Sequence, residues 1–208
     1  MTLGSTTDRI YDALKTLEPP HKRCLIAIAG PPAVGKSSIA TLLCEKLNQI
    51  QKQAAIVPMD GFHMDNATLT SKGLLHRKGA PMTFDFSSLK ATLKNLETHD
   101  EVPVPLFDRT QDCTVPNAAT ITSADRFIIV EGNYLLLDQV EWRDLSQFWA
   151  YSVFVQTNLN ELERRLIKRW LDHGLHATAA KKRARENDLI NATTVLNHRM
   201  HSDLTLDN

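Results

Sequence analysis

The chain has 208 residues, long enough to bury a sizeable apolar core without disulfide or metal staples. Lys plus Arg and Asp plus Glu each number 24, so no basic surplus draws it toward nucleic acid. Cys24, Cys44 and Cys113 are odd in number and lack the spacing of a zinc or redox pair, no run nears the roughly 20 apolar residues of a membrane span, and Asp8 and Arg9 stand where a signal peptide is apolar; the expectation is a reduced, cytoplasmic protein with neither membrane nor nucleic acid as partner.

In chain order, Leu3, Ile10, Leu14 and Leu17 recur at loosely helical spacing over residues 2–17, and Pro19 and Pro20 stop that helix. Cys24–Ala29 is continuously apolar, the pattern of a strand buried on both faces of a parallel sheet. Past a glycine loop, Ile39, Leu42, Leu43, Leu47 and Ile50 share one helical face. Ala54–Pro58 reads as a second strand. Leu89, Leu93 and Leu96 mark a helix behind an Asp85 cap, and 102–107 is a weaker extended segment. Residues 108–125 are polar and form the longest loop expected. Strands follow at 127–130 and 151–155, then a helix carrying Leu162, Leu166 and Trp170 that ends at Gly174. Alternating strands and helices without a repeat or linker predict an α/β fold with a mostly parallel sheet, one domain spanning 1–208.

Between the first strand and the next helix, Gly30-Pro31-Pro32-Ala33-Val34-Gly35-Lys36-Ser37 matches G-x-x-x-x-G-K-[ST]. The glycines let backbone N–H groups turn inward around phosphate oxygens, the helix N-terminus adds its positive end, Lys36 neutralises β/γ charge and Ser37 holds Mg²⁺. Ser38 completes the expected nucleotide-binding set, with ATP and Mg²⁺ as cofactors. The loop alone does not separate a kinase from an ATPase, a GTPase or a switch, although no N-K-x-D base-reading motif is present.

Asp60 lies just past the second strand, at the sheet edge where ligands bind. A carboxylate there can take the proton of an attacking hydroxyl; an ordinary turn aspartate ahead of Gly61 reads equally well from the residues alone. Glu131 ends an apolar strand, where an acid reaches a metal or its water. On the helix at 160–172, one side is apolar and Arg164, Arg165, Lys168 and Arg169 gather on the other, an anion-attracting or simply solvated face.

These segments resemble the uridine kinase, phosphoribulokinase and bacterial pantothenate kinase superfamily over roughly residues 24–174. Asp60-Gly61-Phe62 is similar to its D-[SG]-F element, 77–85 (RKGAPMTFD) to the R-K-G-x-P segment of pantothenate kinase, 104–108 (VPLFD) to the P-x-Y-D strand of uridine kinases, and 128–134 (IIVEGNY) to the h-h-h-E-G counterpart of Walker B. Within the superfamily the chain looks most like a bacterial branch described as nucleoside or fructose kinase-like. The resemblance implies a P-loop NTPase-type three-layer α/β/α fold with a small helical lid at about 160–188. It also implies Asp60 as catalytic base beside Lys36 and Arg169, with Arg165 and Arg169 as lid cations on the phosphates. Asp60, His63, Arg77, Lys78, Asp108 and Arg109 fall on the acceptor side, and Ser37 and Glu131 on the metal. Phe107 stands where uridine kinases often carry Tyr, which removes one hydrogen bond to a nucleoside or sugar. Transfer of the ATP γ-phosphate to a hydroxyl of a small metabolite (a sugar, nucleoside or pantothenate-like acceptor) is the leading expectation, in a chain for which a homodimer is the default assembly. The competing one is an ATP-binding regulator or ATPase switch without an acceptor; the acceptor-side residues separate the two.

Overall fold

The computed structural model describes residues 3–15, 17, 22–49 and 53–208, and for Leu3 the backbone only. The expectations placed on Thr2, Pro19, Pro20, Ile50 and the Leu3 side chain lie outside the described residues. Helix α1 (Leu3–Leu14) buries Ile10 and Leu14 completely. It ends at Leu14 rather than Leu17, because Leu17 N–H bonds the Leu14 carbonyl in a tighter turn. Strand β1 (Cys24–Ala29) leads through the glycine loop into α2 (Lys36–Gln49). The buried face of α2 is Ile39, Ala40, Leu43 and Leu47; Leu42, expected on it, points to solvent and is 38% exposed.

Strand β2 (Ala54–Pro58) runs into a single 3₁₀ turn, Met59–Phe62, and then α3 (Asn66–Ser71). Helix α4 (Phe86–Thr98) begins as expected at Asp85, whose carboxylate accepts from Ser88 N–H. The stretch read as a long loop is instead half of a hairpin: β3 (Val102–Asp108) pairs antiparallel with β4 (Cys113–Ile121). This ribbon stands apart from the main sheet and β4 is largely exposed. It therefore carries polar residues and Pro116, and Asn117 breaks its alternation in the left-handed region at φ 52°.

Strand β5 (Phe127–Gly132) and β6 (Tyr151–Gln156) follow, with α5 (Leu159–Asp172) after them. Gly174 just beyond α5 sits at φ 86°, the left-handed stop that glycine permits. Helix α6 (Ala177–Arg183), one π turn (Ala184–Asp188), α7 (Leu189–Asn197) and strand β7 (Leu204–Asp207) complete the chain order. Helix α6 and the π turn fall within the stretch expected to form a helical lid, about 160–188, whereas α7 and β7 were not anticipated.

The main sheet has the order β2-β5-β1-β6-β7 with every pairing parallel. Alternation along β1 makes its two faces distinct. Ile26 and Ile28 pack with Ile39, Leu43 and Leu47 of α2 and with α1. Leu25, Ala27 and Ala29 pack on the other side with Leu89, Leu93 and Leu96 of α4. Helices thus cover both faces of the sheet, the three-layer arrangement expected. Among the described residues, no helix is long and apolar enough to cross a membrane.

Candidate active site

The register of the sheet brings three chemically active segments to one edge. Glu131 on the interior strand β5 lies level with Ile28 of β1 and Pro58 of β2. The glycine loop leaves β1 one residue beyond Ala29, and Asp60 follows β2 by two residues. All three therefore meet at the carboxyl ends of parallel strands, where such sheets leave a crevice.

Gly30 touches β6 so closely that a Cβ there would lie 2.1 Å from the Val155 carbonyl oxygen. Ala33 and Gly35 both adopt left-handed backbone, φ 64° and 96°, a geometry that aims successive N–H groups into one concavity. The Asn208 side chain donates to the Val34 carbonyl at 2.7 Å and braces the loop from outside.

Lys36 reaches back across the loop, donating to the Pro31 carbonyl (2.9 Å) and to Asn133 Oδ1 (2.8 Å). Burial pushes its ammonium down to about 8, although Glu131 and Asp60 pull it upward. Both hydrogen-bond partners are neutral oxygens, so a phosphate in the loop would be its direct counter-charge. Asn133 was missed in the sequence; its only signal was its place two residues beyond Glu131, just past the end of β5.

Ser37 Oγ donates to Glu131 Oε1 at 3.2 Å. Burial raises the Glu131 carboxyl while Lys36 opposes that shift. A hydroxyl and a carboxylate side by side are hard oxygen donors of the kind Mg²⁺ takes, so these two residues fit the metal implied by the motif.

Asp60 sits in the 3₁₀ turn and receives Arg109 Nη2 at 2.6 Å. Burial alone would raise its carboxyl, but the fields of His63, Arg109, Lys36 and Arg169 together hold it below the ordinary range. The turn is pressed against the hairpin: a Cβ on Gly61 would lie 2.3 Å from the Pro105 carbonyl oxygen. That close approach is what delivers Arg109, at the end of β3, to Asp60.

His63 donates from Nδ1 to the Asp60 carbonyl (2.8 Å), and its ring packs between Phe84 and Phe107, 4.1 and 4.9 Å away. Burial lowers its pKa against the pull of Asp60. Lys78 binds Asp112 at 2.9 Å and Asn66 Oδ1 at 2.7 Å, lying 5.0 Å from the Phe107 ring centre.

A cavity of about 640 Å³ joins these groups. Pro32, Ala33, Gly35, Lys36, Ser37 and Ser38 line it together with Asp60, Glu131, Arg109, Arg169, His63 and Lys78. Of the two lid arginines named from sequence, Arg169 faces the cavity and burial pulls its pKa down. Arg165 is instead held by Glu161 (2.6 Å) and the Asn208 carbonyl (3.3 Å). Two acceptor-side residues also stand outside the cavity. Asp108 accepts from the N–H groups of Thr110 and Gln111 and shapes the hairpin turn. Arg77 donates to the Glu186 carbonyl and Asn191 Oδ1, tying the loop before α4 to the π turn and α7.

Several lining residues were not foreseen: Gly79, Asp112, His173, Arg183, Asp188 and Asn191. Arg183, Asp188 and Asn191 lie on α6, the π turn and α7, elements whose periodicity had not been read. Trp170, read as a packing residue, donates to Asp188 (2.5 Å), stacks under Arg183 and also borders the cavity.

Residues 25–191 match the model of the phosphoribulokinase / uridine kinase family. The uncharacterised protein YggC of Escherichia coli K12 is 34% identical over 197 residues, covering 94% of this chain and 81% of its own. A pantothenate kinase of Streptococcus pneumoniae is 30% identical over 150 residues, 71% of this chain and 49% of that protein. A solved structure from Silicibacter sp. TM1040, named a "putative fructose transport system kinase", superposes with a TM-score of 0.90 at 42% identity, covering 99% of this chain and 98% of that one.

Proposed function

Because the chain belongs to the phosphoribulokinase / uridine kinase family, we propose that it transfers the γ-phosphate of ATP to a hydroxyl group of a small metabolite, with Asp60 as the base. The observation that carries this reading is the position of Asp60. It shares one cavity with the phosphate loop, its carboxylate is kept ionised by surrounding cations, and Arg109 fixes its orientation. An acceptor hydroxyl placed there attacks the γ-phosphorus; a new P–O bond forms as the bond to the β,γ-bridging oxygen breaks, and ADP leaves with that electron pair. The hydroxyl proton passes to Asp60. A carboxylate of low basicity suits a loose transition state, in which the acceptor keeps its proton until late.

Lys36 and Arg169 stabilise charge on the transferring group from two sides, the loop and α5. Ser37 and Glu131 are the residues that would hold Mg²⁺, which supplies charge neutralisation at the β- and γ-phosphate oxygens when bound. Helices α5 and α6 and the π turn, about 160–188, act as the lid of one kinase domain, and the lid cation is Arg169.

An acceptor screen reading ADP formation with Mg·ATP, followed by Asp60→Asn, tests this. The variant should bind ATP with near-native affinity while turnover falls by about two to four orders of magnitude. A variant with near-native kcat but a lowered melting temperature would make Asp60 a turn residue and remove the base from the mechanism.

A further inference from the structure

The strand order of the main sheet decides which side chains lie along the path of a transferred phosphoryl group. Strand β5 stands between β1, which leads into the phosphate loop, and β2, which leads into the turn carrying Asp60. A phosphoryl group moving from a nucleotide in the loop to a hydroxyl at Asp60 therefore crosses the carboxyl end of β5. Two polar side chains from that end line the cavity, Glu131 and Asn133. Glu131 accepts from Ser37. Asn133 accepts from Lys36.

Lys36 fixes which way the Asn133 amide is turned. An ammonium group only donates, so the atom 2.8 Å from Lys36 Nζ must be the oxygen, and the amide NH₂ is left as a donor. That NH₂ has no acceptor among the described residues. The backbone is held on both sides of it. A Cβ on Gly132 would lie 2.4 Å from Met59 Cβ, so the end of β5 is pressed against the turn that carries Asp60. Tyr134 is fully buried and donates its hydroxyl to the Gly79 carbonyl at 2.6 Å. Asn133 is thereby wedged between the Asp60 turn and the loop at 76–79. In phosphoryl transfer, charge spreads over the three equatorial oxygens of the moving group. A donor already fixed beside that path stabilises this charge without reorganising.

Resting on the phosphotransfer reading above, we infer that Asn133 is a further catalytic residue, whose side-chain NH₂ donates to an oxygen of the γ-phosphoryl group while its Oδ1 holds Lys36 toward the same group. Only an amide combines the two roles. An aspartate would hold the ammonium but neutralise it and repel the phosphate; an alanine would neither hold nor donate. Because ADP lacks the γ-phosphate, the contact also separates ATP from ADP.

The test measures the affinities of ATP and ADP by calorimetry without divalent metal, so that neither turnover nor a metal held by Ser37 and Glu131 enters. Wild type, Asn133→Ala and Asn133→Asp are compared. Losing one hydrogen bond to a charged group should weaken ATP about tenfold or more in Asn133→Ala, and ADP by less than about threefold. Asn133→Asp keeps an acceptor for Lys36 and should widen the gap between ATP and ADP further, because its carboxylate faces the terminal phosphate. This variant is isosteric and keeps the test decisive if Asn133→Ala does not fold. With Mg²⁺, saturating ATP and an acceptor found by the screen, Asn133→Ala should lower kcat by about tenfold or more while the acceptor KM stays near wild type. Equal weakening of ATP and ADP in both folded variants would make Asn133 an anchor for Lys36 alone and overturn the inference. Unchanged affinity for both nucleotides would overturn it too. If no acceptor is phosphorylated while Asn133 still separates ATP from ADP, the transfer reading falls and the contact with the terminal phosphate stands.

Discussion

Lys36 carries the most testable electrostatic consequence at the scale of single residues. Its ammonium titrates near 8 instead of the ordinary 10.5 because burial penalises the charge. Between those values the free protein has lost a proton that a bound triphosphate would restore, so ATP binding at pH 9 should take up a proton and at pH 6.5 should not. Calorimetry in two buffers of different ionisation enthalpy measures that uptake directly. Equal proton uptake in wild type and Lys36→Met at pH 9 would separate the lysine from the phosphates. The phosphate loop was legible in the sequence because its backbone requirements are written as glycines at fixed spacing. Asn133 was not, because a single amide that anchors a lysine 97 residues away has no local pattern. Arg165 and Arg169 are both basic residues of one helix, and only tertiary contacts separate them: Glu161 and Asn208 take the first, and the cavity receives the second.

Among elements, the hairpin and the 3₁₀ turn depend on each other at Gly61. Any side chain there must push the turn away from Pro105, and backbone atoms have little room to yield. Gly61→Ala should cost about 1–3 kcal/mol of stability by denaturant unfolding. At a temperature where it is folded, it should lower kcat through a displaced Asp60–Arg109 pair while ATP affinity persists. Wild-type kcat in the folded variant would show that the contact serves packing alone. The buried parallel strands were readable as apolar runs since both their faces are covered. Strand β4 was not, because an exposed ribbon carries no alternation and holds a proline and a left-handed asparagine. Strand β7 was missed for a related reason: only Leu206 of its four residues is fully buried, at the edge of the sheet. Helices α6 and α7 meet through a π turn, which shifts the helical phase and erases a continuous apolar stripe.

For the molecule as a whole, α6 with the π turn and the loop at 76–79 form one connected rim. Arg183 and Asn187 hold the Lys78 carbonyl, Arg183 also holds that of His76, and Arg77 returns a bond to Glu186. The two walls of the cavity should therefore move together. Arg183→Ala is expected to raise the acceptor KM several-fold and to speed amide exchange both at 76–79 and at 177–191. Faster exchange in only one of those segments would show that the walls are independent. A different consequence follows from Asn208, which braces the phosphate loop and holds Arg165 of α5. The loop at 30–37 is made early in translation, yet its neighbour β6 and its brace come more than a hundred residues later. Central β1 likewise waits for β5 and β6 before either edge is paired. A ribosome-bound chain lacking residues 204–208 therefore carries an incompletely supported nucleotide loop. Stabilisation by cellular ATP should reach its full extent only when synthesis has passed that point.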